Sequence, residues 1–323
     1  MGVNLSELCV CEPITFEFLA GKTLAIDSLN MIYQFLGNIR QADGTPLMDS
    51  KGRVTSHLSG LFYRNINFIE RGLKVIYVFD GKPPEAKKGE LETRKDARQE
   101  AKEKWDAALR EGRLEEARKF AQRSSVVTDE MVDESKKLLD SMGIPVVQAK
   151  SEGEAQCAKI CIDGKAFATV TQDFDALLFG SPRTIRNLSI SRAETLEMIE
   201  LAKQKLTREQ FILIGILAGT DYNPKGVTGI GPKKALALVE KLKTLEEIKK
   251  QVKWEAEIEM DDLYKFFLNP PVEEKYEIKF GRPDGERIKE ILCTEHDFSR
   301  ERVEKGLEKL EAKKGSQTSL LGF

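Results

Sequence analysis

The chain has 323 residues, of which 41% are hydrophobic and 32% are charged, and its formal net charge at pH 7 is −2. This length suits one large α/β domain or two small ones, and the composition is typical of a soluble globular protein. The balanced charge excludes an argument for nucleic-acid binding from composition alone, so only the placement of the charges can supply one. Two histidines, and five cysteines without a Cys-x-x-Cys pair, argue against a zinc site. The sequence shows neither an apolar run that could span a bilayer nor a signal-peptide pattern, so no membrane contact and a cytoplasmic location are expected.

Short apolar segments that are typical of buried strands lead to three aspartates, Asp27, Asp80 and Asp173. Helical patterns at residues 31–39 and 55–71 separate the first two of these segments. Strands that alternate with helices predict a parallel sheet. Because ligands bind beside the carboxyl ends of parallel strands, we expect the three aspartates to line one crevice.

Two pairs of acids, each with one residue between its members, lie close together in the chain. Glu152 and Glu154 precede a short alanine-rich helix, and Asp173 and Asp175 follow the next strand. Carboxylates gathered in one crevice repel each other strongly unless a cation lies between them. The pattern therefore predicts a metal site with oxygen ligands. A structural role is also open for Glu154, because Ser151 followed three residues later by Glu154 matches a capping box.

Residues 82–123 are dense in Lys, Arg and Glu and contain few large apolar residues. One interpretation is a pair of solvated helices joined by ion pairs between residues four apart. The other is a mobile insertion over the mouth of the crevice, because the segment leaves the sheet directly after Asp80. The composition leaves both interpretations open.

A glycine-rich turn with a helix-hairpin-helix signature follows an apolar helix at residues 206–218. Gly229 and Gly231 let backbone N–H groups approach a phosphate, and the next helix begins there with the positive end of its dipole. Lys233 and Lys234 add positive charge. A tight turn between two helices without any ligand is the alternative, but the Pro-Lys-Lys-Ala sequence after the glycines favours contact with a DNA backbone.

Taken together, these motifs resemble the flap endonucleases, the structure-specific 5′ nucleases of DNA replication and repair, in their archaeal form. The resemblance covers nearly the whole chain. It rests on Ile26-Asp27, on residues 32–36, 55–58, 78–84, 151–155, 172–175 and 219–222, and on the hairpin glycines. It implies an α/β fold with a central, mostly parallel sheet flanked by helices, a helical arch insertion and a helix-hairpin-helix DNA-binding motif.

The resemblance also implies roles for individual residues. The metal-binding acids would be Asp27, Asp80, Glu152, Glu154, Asp173, Asp175 and Asp221. The residues at the base of the arch that contact the scissile phosphate would be Lys87 and Arg94. The DNA contacts would come from Tyr33, which would stack on a terminal base, and from Arg40, Arg64, Glu152, Gly219, Asp221, Gly229, Gly231, Lys233 and Lys234. The motif that binds a sliding clamp of the proliferating cell nuclear antigen type would be Gln317, Leu320 and Phe323, although its second aromatic residue is absent.

The expected regions are an N-terminal nuclease region at residues 1–81, the arch at 82–127, an internal nuclease region at 128–312 with the hairpin motif at about 219–240, and a clamp-binding tail at 313–323. The implied activity is that of a 5′-flap endonuclease with 5′–3′ exonuclease activity, in Okazaki-fragment maturation and base-excision repair. Carboxylate ligands without His or Cys predict Mg²⁺, held as two ions, with Mn²⁺ able to substitute. The expected partner is branched DNA with a 5′ flap, bound by a monomer.

Three rival functions remain at this stage. A phosphatase or phosphotransferase with an aspartate nucleophile would explain Asp173 and Asp175, but it gives no role to Glu152 or to the hairpin. A non-catalytic adaptor for branched DNA and the clamp would not need the complete set of acids. A sister 5′ nuclease that acts on bubbles, gaps or junctions would share the whole active site, so the acids alone do not separate it from a flap endonuclease.

Overall fold

The fold is built on one seven-stranded sheet, and the computed structural model describes residues 3–82, 87–189 and 196–318. The strands are β1 (Glu12–Ile14), β2 (Thr23–Asp27), β3 (Lys74–Phe79), β4 (Val146–Gln148), β5 (Ala168–Val170), β6 (Arg183–Arg186) and β7 (Leu196–Glu200). Their order across the sheet is β1-β7-β6-β5-β2-β3-β4. Strands β2 to β6 pair in parallel, whereas β7 is antiparallel to both β6 and β1. The predicted α/β class with a mostly parallel sheet is therefore confirmed.

Helices occupy most of the remaining described chain. They are α1 (Phe16–Leu19), α2 (Ser28–Asn38), α3 (Ser56–Glu70), α4 (Lys88–Arg110), α5 (Leu114–Arg123), α6 (Asp129–Ser141), α7 (Gly153–Ile162), α8 (Asp175–Leu178), α9 (Arg208–Ala218), α10 (Pro232–Leu242), α11 (Leu245–Gln251), α12 (Met260–Leu268), α13 (Gly285–Lys289) and α14 (Arg300–Thr318). A 3₁₀ helix (Leu201–Lys203) follows β7, and a π-helix (Glu290–Glu295) precedes the turn that leads to α14. No helix in the described ranges has both the length and the apolarity that crossing a membrane requires.

The side chains of β2 alternate between two apolar cores, one on each face of the sheet. Leu24 and Ile26 pack in the core that includes α2 and α3, whereas Ala25 packs with Cys157 and Ile160 of α7. Successive side chains of a strand point to opposite faces, so burial on both faces requires an unbroken apolar run. This is why the sequence predicted β2 and β3 well. A separate core beneath α9, α10 and α12 supports the hairpin region.

Both histidines of the chain lie in one buried polar cluster between α3, α6 and the turn before α14. His57 Nε2 is 3.1 Å from Glu134 Oε2, and His296 Nε2 is 3.1 Å from Glu134 Oε1. His296 Nδ1 is 3.2 Å from Asp49 Oδ2, and Arg53 Nε donates to the same oxygen at 2.8 Å. These five side chains, the histidine cluster, connect three segments that are distant in the sequence: residues 49–57, Glu134 and His296.

The capping box predicted at the start of α7 is wrong. Glu152 is the residue that precedes the first turn, and its side chain makes no capping hydrogen bond to that turn. The hydroxyl of Ser151 is buried and has no hydrogen-bond partner among the described residues. Glu154 instead accepts a hydrogen bond from Thr171, at the end of β5. The helix start therefore presents Glu154 to the crevice and does not use it as a cap.

The predicted arch is a helical hairpin formed by α4 and α5. The two helices pack through small buried side chains, Ala101, Ala108, Ala117 and Ala121. Alanine allows this close approach without a large apolar face, which explains how a segment so rich in charge still forms paired helices. The helical interpretation is thus confirmed, while mobility without DNA and the region boundaries stay predictions. Residues 83–86 lie outside the described residues, and two of them, Pro83 and Pro84, belong to the family motif.

The last described element bears on the proposed clamp motif. Gln317 belongs to the backbone of α14, which runs to Thr318. Leu320 and Phe323 lie outside the described residues. The clamp motif therefore stays a prediction.

Candidate active site

Six of the seven predicted acids follow the carboxyl ends of four parallel strands. Asp27 ends β2, Asp80 follows β3, Glu152 and Glu154 follow β4, Asp173 and Asp175 follow β5, and Asp221 comes after α9. The four strands are neighbours in the order β5-β2-β3-β4. The topology therefore brings these acids to one edge of the sheet, as the sequence predicted.

Burial and neighbouring negative charges raise the pKa values of four of these carboxyl groups, whereas nearby positive charges outweigh burial and hold the pKa of Asp221 below its ordinary value. The pKa of Asp80 rises to about 6 because of burial and the charge of Glu152. The pKa of Asp175 rises to about 8 because of burial and the charges of Asp221 and Asp173. Such shifts show that the acids lie close enough to repel one another.

Two further acids of the crevice, Asp27 and Glu154, behave in the same way. The pKa of Asp27 lies well above its ordinary value because of burial and then the charges of Asp80 and Asp173. The pKa of Glu154 is likewise well above its ordinary value because of burial and the charges of Asp173 and Asp175. The acids therefore form one mutually repelling group.

Backbone N–H groups orient two of the carboxylates. The N–H of Gly153 donates to Asp80 Oδ1 at 2.6 Å, and a Cβ atom at Gly153 would lie only 2.6 Å from that same oxygen. Glycine therefore permits the contact because it has no side chain there. The N–H of Val3 donates to Asp175 Oδ1 at 3.2 Å across 172 positions of sequence. Each of these bonds restrains one oxygen of its carboxylate and leaves the other oxygen without that bond.

Neutral side chains orient two more of the acids. Thr171 Oγ1 donates to Glu154 Oε1 at 2.7 Å. Asn30 Nδ2 donates to Asp173 Oδ2 at 3.1 Å, and the backbone N–H of Asn30 donates to Asp27 Oδ1 at 3.1 Å. Hydrogen bonds from Thr171 and Asn30 thus limit how far the carboxylates of Glu154, Asp173 and Asp27 can rotate away from one another.

The two predicted catalytic cations lie against the acids. Lys87 Nζ is 2.8 Å from Glu152 Oε2 and 3.4 Å from Asp221 Oδ2, and Arg94 Nη2 is 2.8 Å from the same Asp221 oxygen. Burial lowers the pKa of Lys87, but the charges of Glu152 and Asp221 outweigh burial and hold that pKa above its ordinary value. In the absence of DNA, these cations therefore neutralise part of the acidic crevice.

The donor chemistry of the site fits a hard divalent cation. Within the described residues, no three His, Cys, Asp or Glu side chains already surround one point in a ligand arrangement. The acids nevertheless offer only oxygen atoms, and the charged groups that act most strongly on Asp27 and Glu154 are other acids. A cation among them would offset this repulsion, and oxygen donors suit Mg²⁺ or Mn²⁺.

Arg40, predicted to contact DNA, is used inside the protein. Its Nε donates to the carbonyl of Leu36 at 2.6 Å, its Nη1 to the carbonyl of Gly44 at 2.7 Å, and its Nη2 to Ser125 Oγ at 2.6 Å. The side chain therefore joins the end of α2 to the segment after α5. A phosphate contact from Arg40 would have to replace one of these hydrogen bonds.

The other two predicted DNA contacts on α2 and α3 are partly exposed. The guanidinium carbon of Arg98, in the arch, lies 4.9 Å from the ring centroid of Tyr33. Arg64 is half-buried in α3, and burial lowers its pKa. The DNA-binding roles of both residues stay predictions.

The hairpin has the backbone geometry that its glycines predict. Gly229 has a φ of 78°, and Gly231 precedes the first turn of α10, which begins with Pro232. Lys234 Nζ donates to the carbonyl of Gly229 at 2.9 Å, whereas Lys233 is largely exposed and lies 3.0 Å from Glu7. Lys234 thus holds the turn together, and Lys233 is the more available of the two cations.

Gly219 ends α9 in a conformation that favours glycine. Its φ is 109°, and a Cβ atom there would lie 2.8 Å from the carbonyl oxygen of Pro224. Its own N–H donates to the carbonyl of Gly215 at 2.8 Å. The residue shapes the turn before Asp221, and its contact with DNA stays a prediction.

Three side chains of the site were missed by the sequence reasoning: Asn30, Thr171 and Tyr222. Asn30 lies three residues after Asp27, where the backbone N–H usually donates to the side chain that caps the helix. Nothing in the nearby sequence indicates that its side chain contacts Asp173. The ring centroid of Tyr222 lies 5.8 Å from Lys87 Nζ, and its position directly after Asp221 is the only signal that could have identified it.

Known proteins share both the sequence and the fold. Residues 3–101 match the XPG N-terminal domain, and residues 143–221 match the XPG I-region. Flap endonuclease 1 of Pyrococcus furiosus is 52% identical over 338 residues, which cover 99% of this chain and 98% of that relative. The structure of flap endonuclease-1 from Methanococcus jannaschii matches with a TM-score of 0.80 at 39% identity, and covers 98% of this chain and 100% of that one. The catalytic core of Rad2 in complex with DNA substrate shares the fold, with a TM-score of 0.72 at 22% identity over 93% of this chain and 96% of that one.

Proposed function

Since the chain belongs to the flap endonuclease family, we propose that it cuts DNA at the base of a 5′ flap, with divalent cations held by its seven crevice acids. As a member of that family it is a structure-specific flap endonuclease, and therefore a hydrolase of DNA phosphodiesters. The observation that carries the proposal is the group of buried acids beyond four adjacent parallel strands, with Lys87 and Arg94 against it.

Two Mg²⁺ ions are the proposed cofactor, and Mn²⁺ is the proposed substitute, because every candidate ligand is an oxygen atom. The ligands would be Asp27, Asp80, Glu152, Glu154, Asp173, Asp175 and Asp221. When bound, such ions supply an activated water molecule and stabilise negative charge on the reacting phosphate. The donors around the acids would keep the ligand oxygens directed into the crevice.

Lys87 and Arg94 would exchange partners when DNA binds. They now lie against Glu152 and Asp221. A scissile phosphate that enters the crevice would offer both side chains negatively charged oxygens in place of the carboxylates of Glu152 and Asp221. From there both side chains would stabilise the negative charge that develops at the phosphate.

DNA affinity would come from outside the acidic crevice, because the acids themselves repel phosphate. The hairpin glycines with Lys233 and Lys234 would hold the duplex by backbone contacts that carry no sequence information. Tyr33 would stack on the terminal base at the junction. Such binding recognises the shape of a branched duplex, which agrees with a structure-specific nuclease.

The proposed cellular roles are Okazaki-fragment maturation and base-excision repair, with 5′–3′ exonuclease activity at nicks, by a cytoplasmic monomer. These roles supply the 5′ ends that the site would process. They rest on family membership and on the proposed choice of a 5′ flap.

The C-terminal residues would dock on a sliding clamp as a short helical turn. Gln317, Leu320 and Phe323 are spaced by three residues, so all three fall on one side of such a turn. Calorimetry of the tail peptide with a clamp from the same source tests this, and the Phe323→Ala peptide should not bind. A peptide with an aromatic residue added after Phe323 should bind more tightly. Equal affinity of the natural and Phe323→Ala peptides would leave the tail without this role.

The deciding experiment compares cleavage of a 5′ flap, a nicked duplex, a bubble and a four-way junction that share one labelled strand. We expect the 5′ flap to be cut fastest, with no product after chelation and full recovery after addition of Mg²⁺ or Mn²⁺. Faster cleavage of the bubble or the junction would assign the chain to the sister 5′ nucleases instead. Cleavage that survives chelation would exclude the metal-dependent mechanism.

A further inference from the structure

Asn30 contacts two of the crevice acids at once. It is the third residue of α2, and its backbone N–H donates to Asp27 Oδ1 at 3.1 Å, which is the usual contact between a helix cap and the third helical residue. Its side-chain amide donates in addition to Asp173 Oδ2 at 3.1 Å. The two acids follow β2 and β5, which are neighbours in the sheet, so Asn30 bridges the ends of two adjacent strands.

The orientation of the Asn30 amide is fixed by its other hydrogen bonds. Its Oδ1 accepts from Gln34 Nε2 at 2.8 Å and from the backbone N–H of Gln172 at 3.2 Å. Both donors face the oxygen, so a rotated amide would lose both bonds and turn its oxygen toward a carboxylate. Gln34 is held in turn, because its Oε1 accepts from the hydroxyl of Ser189. The amide N–H group is therefore directed at Asp173 by a chain of neutral side chains.

From this geometry we propose that Asn30 is a positioning residue for the nuclease reaction, which holds Asp27 and Asp173 at the separation that a shared divalent cation requires. The inference rests on the proposed function, because it assigns both acids to cation binding. Two like-charged carboxylates rotate apart unless something restrains them. Asn30 restrains one oxygen of each acid without adding charge, so the remaining oxygens stay available to a cation.

The test replaces the amide by groups of the same shape. Asn30→Leu removes the donor and the acceptor, and Asn30→Asp sets a negative charge against Asp173. Direct binding of Mn²⁺ to the DNA-free protein, measured by calorimetry, should weaken by about 10- to 100-fold in both variants, as observed for residues that orient metal ligands. The Mg²⁺ concentration for half-maximal single-turnover cleavage should rise by a similar factor, while flap affinity measured without divalent ions stays within threefold.

Controls separate positioning from folding. Asn38→Asp makes the same chemical change at the exposed end of α2 and should leave Mn²⁺ affinity unchanged. If the Asn30 variants do not fold, Gln34→Leu removes only one of the two bonds that orient the amide and should still weaken Mn²⁺ binding measurably. Mn²⁺ affinities within threefold of wild type in every variant that folds would overturn the inference. If the wild-type protein bound no Mn²⁺ or cut no flap, the proposed function would fail as well.

Discussion

Lys87 contacts two acids of the crevice in the structure without DNA, and in the proposed reaction it would contact the scissile phosphate instead. Its ammonium group is held by Glu152 and Asp221, and the ring of Tyr222 lies 5.8 Å away. These contacts keep the lysine charged beside the position where a phosphate would enter. Its value for catalysis would therefore appear in the chemical step and not in DNA affinity.

We expect Lys87→Ala to slow single-turnover cleavage of a 5′ flap by about 100- to 1,000-fold, the usual effect of removing one electrostatic contact to a reacting oxyanion. Flap affinity should change by less than about threefold, since one of many phosphate contacts is lost. Rapid-quench kinetics and fluorescence anisotropy measure the two quantities. Lys74→Ala, at an exposed lysine at the start of β3 and outside the arch, is the matched control. A loss of affinity as large as the loss of rate would assign Lys87 to binding instead.

We expect the acids, like Lys87, to contribute to the chemical step and not to DNA affinity. Asp27→Asn and Asp173→Asn should each abolish cleavage, because each variant removes a proposed ligand charge. Both variants should still bind flap DNA, and should bind it more tightly, because the crevice repels phosphate less. Single-turnover rates within tenfold of wild type would contradict this prediction.

Among the individual residues of the site, the acids could be predicted from the sequence, but the side chains that donate hydrogen bonds to them could not. Asp27 and Asp80 each follow an unbroken apolar run, and these runs marked the strand ends at which the two acids lie. Asn30 contacts Asp173 across 143 positions, and that contact exists only because β2 and β5 are neighbours in the sheet. No local pattern encodes such adjacency. The capping box at Ser151 was wrong for the converse reason, since a local pattern was overridden when Thr171 approached Glu154.

Among the elements, the hairpin between α9 and α10 is the clearest candidate for DNA contact outside the crevice. Its glycines leave the backbone open, because a Cβ atom at Gly229 or Gly231 would meet nothing within 4 Å. The N-terminus of α10 adds the positive end of a helix dipole. The element therefore suits a phosphate without regard to base sequence.

The double variant Lys233→Ala, Lys234→Ala should weaken binding equally for unrelated duplex sequences. The slope of log affinity against log salt should flatten by roughly 0.9 for each phosphate contact that is lost. Because Lys234 also holds the Gly229 carbonyl, the single variant Lys233→Ala should show the salt effect with less disturbance of the turn. Lys279→Ala, at an exposed lysine outside the hairpin, serves as the control. An unchanged slope, or a loss that depends on sequence, would argue against the hairpin as an anchor.

The sequence predicted best the elements that have an unbroken apolar run or apolar residues along one face of a helix. These elements are β2, β3, α3 and α9. Strands β1, β6 and β7 escaped prediction. They have only three to five residues each, and β1 pairs with a strand that is remote in the chain, as in the pairing of Glu12 with Met198. The antiparallel strands β1 and β7 extend a sheet whose parallel part the sequence did predict.

Over the whole molecule, the histidine cluster ties the N-terminal and C-terminal parts of the chain together. Burial raises the pKa of Glu134, but the hydrogen bond from His57 and the positive charges nearby outweigh it, so the pKa lies below its ordinary value of 4.5. Hydrogen bonds and the charge of Arg53 likewise outweigh burial and lower the pKa of Asp49. For acids with a lowered pKa in the folded state, the stabilisation is complete above the unfolded pKa and is lost as the pH falls through the folded one.

Glu134→Gln should therefore lower the free energy of unfolding at pH 7 by about 1.5–3 kcal/mol, as for a buried hydrogen bond to a charged group. The difference from wild type should shrink as the pH falls below about 4.5, where the wild-type carboxylate becomes protonated. Denaturant titrations at a series of pH values measure both effects. Glu130→Gln, at an exposed acid of the same helix, should show neither. A difference that stays constant down to pH 3 would mean that the charge of Glu134 does not stabilise the fold.

The crevice acids are spread along the chain from Asp27 to Asp221, so the order of synthesis determines when they can come together. A ribosome releases the chain in order, so six of the acids emerge before Asp221 and the helix that carries it toward them. Strand β1 likewise cannot pair with β7, its partner almost two hundred positions later, until β7 has been synthesised. If the crevice acids form the cutting site as proposed, a half-synthesised chain would lack Asp221 and therefore a complete site. We accordingly expect cleavage only from chains that are long enough to include Asp221.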